Sequence, residues 1–328
     1  RDPGNPNSIS AAAYRLIWPG VVWNPLADVP RLNGRARIAA NAITVNGDVY
    51  LLGGYTVGGG EVTDPRLFRY DPDTDAYIEM AEVPTEVDDT VVGVYQDRWI
   101  YTVSGWHGPI NNNVRNTQVY DTHTDTWQQA GLIPSAGVFG HSGTVIGDRI
   151  MYMDGARSSF QFPITDFLAV GRIDPLKTGD VTTIDWTALA PHAGLPTYRG
   201  APSQVATSDG RMLLIGGSDN TYNINGIGYN GQESYPLAQA LAFDPVAMTW
   251  ESLEVYGPHV PTMDHRGLVS VGVDRWATIG GMTEPLTATG AVYLFTLRPD
   301  LPGDVDCDEA VTFADLLLVL GGWGSCPP

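Results

Sequence analysis

Lysine is almost missing from this chain: Lys177 is the single one among 328 residues. Arginine supplies the rest of only 18 basic residues, against 37 acidic ones, for a net charge of −19. Such a surface repels phosphate backbones and anionic lipid, which excludes nucleic acid and anionic membranes as partners. No apolar run approaches the roughly 20 residues of a membrane span, so none is expected. Serine-nucleophile signatures, a P-loop and a zinc-type His/Cys cluster are also lacking. An initiating Met is missing too: the chain starts "RDPGNPNS", the start expected of an exported protein, secreted or at the cell surface, whose leader has been removed. Cysteine is scarce, and Cys307 and Cys326 both lie in the C-terminal tail. In an exported chain they are expected to pair as a disulfide, two free thiols being the other reading.

What is present is a large apolar fraction, 43%, enough for a sizeable core. The length suggests two domains unless the chain is one large all-β ring. Self-similarity decides between these. "NGDVYLLGG", "QDRWIYTVSG", "GDRIMYMDG", "DGRMLLIGG" and "VDRWATIGG" share a tight polar turn, an alternating apolar strand and a terminal Gly. Four units continue into "LFRYDPDTDAY", "TQVYDTHTDTW", "GRIDPLKTGDVTTIDW" and "ALAFDPVAMTW". Each adds a strand, a turn begun by Asp, and an aromatic that starts an outer strand. A unit therefore reads as a four-stranded antiparallel sheet of roughly 50 to 60 residues, the size of a propeller blade.

Together, the apolar strand, the glycines, the "YDP.T..W" run and a following Pro resemble the kelch repeat over residues 36–297. The resemblance implies an all-β propeller; rings of this kind more often have six or seven blades, but the count of repeats makes this one five-bladed. The fifth unit lacks an aromatic-led outer strand, while "WNPLADVP" near the start mimics "WQQAGLIP" of the second unit. The N-terminal strand is therefore expected to complete the last blade and remove its open edge. Residues 1–299 form the propeller in this reading and residues 300–328 a separate tail.

In a propeller the loops leading into the innermost strand and those leaving the second strand share one mouth. The first set carries Arg35, Arg37, Asp88, Asp89, His141, Arg199, Asp264, His265 and Arg266. The second carries Tyr55, Trp106, His107, Arg157, Asp219, Asn220 and Glu284, and the fourth unit's insertion adds Tyr222 and Tyr229. Carboxylates beside cations at a concave site suit acid–base work, so Asp88, Asp89, His141, Asp264 and Glu284 are the catalytic candidates. The others are candidates for ligand contact. Asn, Gly, Tyr and Trp crowd the inserted loops of units two and four, a composition suited to sugars: rings stack on pyranose C–H faces and amides bond hydroxyls. Turn formation explains part of the Asn and Gly. The kelch resemblance also implies structural roles for Arg37, His141, Arg199 and Arg266, leaving Asp88 and Asp89 as the residues that depart from the pattern. A copper–radical oxidase of the kelch type is set aside, because it needs a cysteine linked to tyrosine and the propeller has no cysteine.

"GDVDCDEAVTFADLLLVLGGWG" resembles one repeat of a type I dockerin, a calcium loop followed by a helix. The resemblance implies a Ca²⁺ held by Asp304, Asp306, Asp308 and Asp315, with the Ala310 carbonyl and Thr312. Glu309 stands where such loops carry Gly, which weakens binding, and one repeat stands where dockerins have two. The apolar run of Leu316–Leu318, Val319, Leu320 and Trp323 is too short to bury itself and needs the propeller, a second copy or a partner. The expected function is an extracellular binding or assembly module for a glycan or surface polymer, tethered by its calcium-ordered tail. A sugar mutarotase, epimerase, lyase or hydrolase, and a self-assembling structural subunit, are the alternatives.

Overall fold

A computed structural model of the chain describes residues 9–57, 60–257 and 259–297, with Thr312, Phe313, Leu316 and Leu317 beyond them. Five antiparallel sheets follow one another along the chain as the blades of an all-β propeller. Blade 1 orders Ile38–Val45, Asp48–Thr56, Leu67–Asp71 and Ala76–Met80, with Val62–Thr63 added to its second strand. Blade 2 orders Val91–Tyr95, Trp99–His107, Asn112–Asp121 and Thr126–Gln129. Blade 3 orders Ser142–Ile146, Arg149–Met153, Leu168–Ile173 and Ile184–Ala188. Blade 4 orders Ala201–Pro202, Met212–Ile215, Ala240–Asp244 and Thr249–Ser252. Blade 5 has three strands among the described residues, Val269–Gly272, Arg275–Ile279 and Val292–Thr296.

The repeated sequence features have identifiable work. Asn46 and Gly47 both take positive φ, 51° and 89°, as the two-residue hairpin turn between the first strands requires. Gly54, at φ +82°, lies so close to blade 1's inner strand that an added Cβ would stand 2.5 Å from the Ile38 carbonyl oxygen. In blades 1, 2 and 4 the Asp beginning the outer turn accepts from the backbone two residues on: Asp71 from the Asp73 N–H at 2.8 Å, Asp121 from the His123 N–H at 3.0 Å, Asp244 from the Val246 N–H at 2.8 Å. The Asp at the end of the turn reaches the preceding blade. Asp125 accepts from the Tyr120 hydroxyl and from the Ala81 N–H, both at 2.7 Å.

Packing between blades builds the core. Ile43, Val45 and Leu52 of blade 1 meet Val92 and Ile100 of blade 2. Val91 and Tyr101 then meet Val145 and Ile150 of blade 3, Met151 and Leu168 meet Leu214 and Phe243 of blade 4, and Leu213 and Ala242 meet Trp276 of blade 5. Alternate residues of an interior strand thus serve neighbours on opposite sides.

One expectation is corrected. Trp23–Leu26 does not complete blade 5; it pairs with Ala13–Leu16 as a two-stranded hairpin. Six residues join the two strands, with the Gly20 N–H bonded to the Ile17 carbonyl at 2.7 Å, so the local partner costs little loop closure. The docking inferred from "WNPLADVP" is nevertheless present. The Ala27 N–H donates to Asp75 at 2.9 Å, as Ala81 does to Asp125 one blade later. The expected calcium ligands Asp304, Asp306, Asp308, Ala310 and Asp315, and the disulfide Cys307–Cys326, lie outside the described residues. Thr312 is exposed, and Phe313, Leu316 and Leu317 are helical and exposed.

Candidate functional site

A positive-φ residue leads into the inner strand of three blades: Asp89 at 47°, Arg199 at 55° and Asp264 at 72°. That backbone turns the side chains toward the axis, where they meet. Arg199 grips Asp89 with Nε at 3.2 Å and Nη2 at 2.8 Å, while its Nη1 donates to Asp264 at 3.0 Å and to the Asn223 carbonyl at 3.1 Å. Arg266 adds a contact of 2.9 Å to Asp89. The guanidinium of Arg199 lies over the rings of Tyr198 and Tyr222, 4.7 and 5.0 Å from their centroids. Burial opposes the charge on Arg199, but Asp89, Tyr198 and Asp264 outweigh it and hold the group charged. Burial likewise opposes ionisation of Asp89, yet Arg199 and Arg266 keep its carboxyl below the ordinary range.

Asp88 is set the other way. It is 3% exposed, accepts from the Thr63 hydroxyl at 3.1 Å, and exchanges backbone hydrogen bonds with Trp106. Burial and then the neighbouring Asp89 push its carboxyl well above the ordinary range. The environments of two adjacent carboxyls therefore push their pKa values apart.

Asp88 and Asp89 form the floor of a cavity of about 200 Å³. Trp106, Phe139, Phe162 and Tyr229 wall one side, with Phe162 and Tyr229 ring centroids 4.5 Å apart and Trp106 5.6 Å from Phe139. Opposite them the Tyr55 hydroxyl donates to Asn223 at 2.6 Å, and the Asn223 amide donates to Glu61 at 2.7 Å. The blade 4 insertion thereby crosses the mouth to blade 1.

Of the candidates, Asp88, Asp89, Trp106, Arg199 and Tyr229 line this cavity, with Tyr55 beside them. Tyr222 lies buried beneath Arg199, and Asp264 and Arg266 complete its ion-pair network. Arg37 is placed with Asp64 and the Gly53 carbonyl inside blade 1. His141 donates from Nε2 to the Val103 carbonyl at 2.8 Å, and His265 shares a hydrogen bond with Thr262 at 2.8 Å. Burial lowers both imidazoles from 6.5 to about 4, so neither carries a charge near neutrality. His107 donates to the Glu86 carbonyl at 2.7 Å, Asp219 accepts from the Tyr235 N–H, and Asn220 bonds Asn230. Those three, with the exposed Arg157 and Glu284, are not among the lining residues. Glu61, Asn111, Phe139, Phe162, Tyr198 and Asn223 also line the cavity, and the sequence did not mark them individually. Tyr198 and Phe139 each sit one or two positions before a basic residue type that leads into an inner strand, Arg199 in "TYRG" and His141 in "VFGH", and that offset was the available signal.

No family model matches the chain. Over 139 residues it is 32% identical to Kelch-like protein 15 of Gallus gallus, covering 42% of this chain and 27% of that protein. The human Kelch-like protein 15 shows the same identity, with 22% of its length covered. Kelch-like protein terF of Aspergillus terreus is 26% identical over 317 residues, covering 92% of this chain and 64% of that one. The chain thus spans about a quarter of the length of the relatives it matches at 32%. A solved structure of YjhT superposes with a TM-score of 0.69 at 16% identity, covering 89% of this chain and 90% of that one, a likeness of fold. Repeats and sheets agree on five blades among the described residues, and the relatives are kelch-like: the fold is a propeller of kelch type. That fold suggests a binding module. Among the described residues no helix is long and apolar enough to cross a membrane, and no group of His, Cys, Asp and Glu is placed to hold a metal.

Proposed function

We propose that the protein is an extracellular binding module that takes a glycan, free or as part of a surface polymer, in the mouth cavity. The carrying observation is the cavity's two-sided chemistry: an aromatic wall, Trp106, Phe139, Phe162 and Tyr229, shares the cavity with Tyr55, Asn223, Glu61 and the buried Asp88. Aromatic faces cover the apolar C–H face of a pyranose, while amide, phenol and carboxyl groups take its hydroxyls. Arg199 is already engaged by Asp89 and Asp264, so it positions the floor. In the C-terminal segment, four Asp carboxylates with a carbonyl and a hydroxyl form the hard-oxygen set that suits Ca²⁺, which would order that segment. The acidic surface and the kelch-type fold support binding of sugars or proteins and disfavour nucleic acid.

A second reading, a sugar-acting enzyme, draws on the two carboxyls being pushed in opposite directions, Asp88 upward by burial and Asp89 downward by Arg199 and Arg266. A glycan array with the full chain, followed by product analysis on each hit, tests both. Binding lost in Trp106→Ala, with every hit recovered unchanged, supports the module. Conversion of a hit that disappears in Asp88→Asn establishes the enzyme. An array without any hit refutes the glycan reading.

A further inference from the structure

The mouth cavity is unbalanced in charge. Among the described residues that line it are three carboxyls, Glu61, Asp88 and Asp89, and one cation, Arg199. That guanidinium is already taken. Two of its nitrogens hold Asp89 at 3.2 and 2.8 Å, and the third donates to Asp264 and to the Asn223 carbonyl at 3.0 and 3.1 Å. Arg266 adds a second cation to Asp89 at 2.9 Å. Asp89 is thus matched within the floor, whereas the other two carboxyls meet only neutral donors among the described residues. Glu61 accepts from the Asn223 amide at 2.7 Å and Asp88 from the Thr63 hydroxyl at 3.1 Å.

Asp88 carries the sharper mismatch. The Thr63 bond goes to Oδ2, and Oδ1 has no hydrogen-bond partner among the described residues, in a side chain that is 3% exposed and lines the cavity. A buried polar atom left without a partner costs free energy, and a donor entering from the cavity removes that cost. Burial first, then Asp89 and more weakly Glu61, disfavour a negative charge on Asp88, so an arriving cation relieves the repulsion among all three. The same field reaches the wall, where burial and then Glu61 raise the Tyr229 phenol.

The aromatic wall is bent. Trp106, Phe139 and Phe162 stand 5.6 to 5.7 Å apart, with their planes inclined by 59°, 72° and 88°. Tyr229 is tilted by 53° to Phe162. Rings at such angles form a concave corner instead of one flat platform, and the negative faces of aromatic rings attract a compact cation. At about 200 Å³ the cavity is below the size of drug-sized sites, roughly 300–1,000 Å³, and admits a single sugar residue.

We propose that the cavity selects a ligand bearing a protonated amine, which on the glycan reading is one hexosamine residue whose amine is not acetylated. The sugar part rests on that reading; the amine rests on the cavity alone. The ammonium lies against the tilted rings and donates to Asp88 Oδ1, Glu61 adds charge at the exposed side, and Asn111 and Tyr55 are left for the hydroxyls. An acetylated residue lacks the charge. An acidic sugar meets two unmatched carboxyls and a guanidinium that is already bonded, so it is rejected.

Calorimetric titration of the full chain, at a pH that keeps the sugar amine charged, tests this with five probes. These are a glucosamine tetramer, its fully N-acetylated form, cellotetraose, a uronic-acid tetramer and choline, a cation that is not a sugar. The glucosamine tetramer is expected to bind about tenfold tighter than the acetylated and neutral tetramers, and the uronate not at all. Glu61→Gln and Asp88→Asn should each erase most of that preference, while Asp185→Asn, which removes the same charge from the exposed outer strand of blade 3, should leave it intact. A preference that persists in both mouth variants would belong to the acidic surface as a whole and would overturn the proposal. Equal or tighter binding of the neutral, acetylated or uronate tetramer would overturn it while leaving the glycan reading standing. Binding of choline without any tetramer would keep the amine and refute the glycan. No binding of any probe would refute both.

Discussion

Arg199→Met keeps the reach of the side chain and removes the charge on which three blades converge. The parent guanidinium satisfies Asp89 twice, Asp264 once and the Asn223 carbonyl once. In the variant Asp89 and Asp264 are left to share Arg266, at 2.9 and 3.4 Å. Removing one partner of a buried ion pair costs about 3–5 kcal/mol, because the remaining charge stays desolvated. At roughly 2 cal/mol/K per residue the unfolding entropy of a domain this size is about 0.6 kcal/mol/K, so Tm should fall by roughly 5–8 °C. Differential scanning calorimetry at pH 7 reads this directly. Adding Asp89→Asn to Arg199→Met should restore part of the loss, since the stranded carboxylate is then gone. A single variant melting within about 1 °C of the parent, or a double variant that melts lower still, would refute the account of Arg199 as the charge that holds the mouth together.

Further outcomes follow from the same geometry. His141 and His265 stay neutral down to about 4 while an unfolded chain takes up those protons from 6.5; the unfolded state then binds more protons, so stability is lost as pH falls across that window, by up to about 3 kcal/mol for each group. His141→Gln with His265→Gln should flatten that acid slope in Tm against pH. Asp88 acts oppositely: its raised pKa lets the fold hold a proton the unfolded chain releases, so stability declines as pH rises above the ordinary carboxylate value, and Asp88→Asn should abolish that decline. Asp75→Ala removes the acceptor of the Ala27 N–H and should speed hydrogen exchange at Ala27 while leaving Ala81, held by Asp125, protected. Calorimetric titration should show one calcium per chain at about 10⁻⁴ to 10⁻³ M, absent in the variant carrying Asp304→Ala and Asp315→Ala.

The blades were legible because their signals are local. A tight polar hairpin turn, a glycine at the end of the second strand and an Asp that begins the outer turn each act within a few residues, so the first two show in all five units and the third in four. The mouth was legible in part. Position along the chain showed that Asp88, Asp89 and Arg199 lead into inner strands, but not that Arg199, 110 residues from Asp89, would pair with Asp89 and leave Asp88 without a cation partner of its own, its pKa raised by burial. Phe139 and Phe162 were missed because apolar residues near a strand read as core, and only the absence of packed neighbours on one side turns them into a wall. The pairing of Trp23–Leu26 escaped for a related reason. "WNPLADVP" encodes the contact with Asp75, whereas the partner strand is chosen by what lies nearest, and Ala13–Leu16 carries no repeat signature of its own.

The blade 4 insertion ties the mouth to blade 1. Asn223 is bonded to Tyr55 and Glu61 of blade 1, and Ile224 packs with Ala36 at the start of that blade. Those contacts span the mouth between the fourth blade and the first, so a ligand held between Tyr229 and Tyr55 depends on the bridge to keep their distance. Asn223→Ala removes both bonds and should weaken any ligand of the mouth. Affinity unchanged in that variant would mean that the aromatic wall holds the mouth in shape without the bridge.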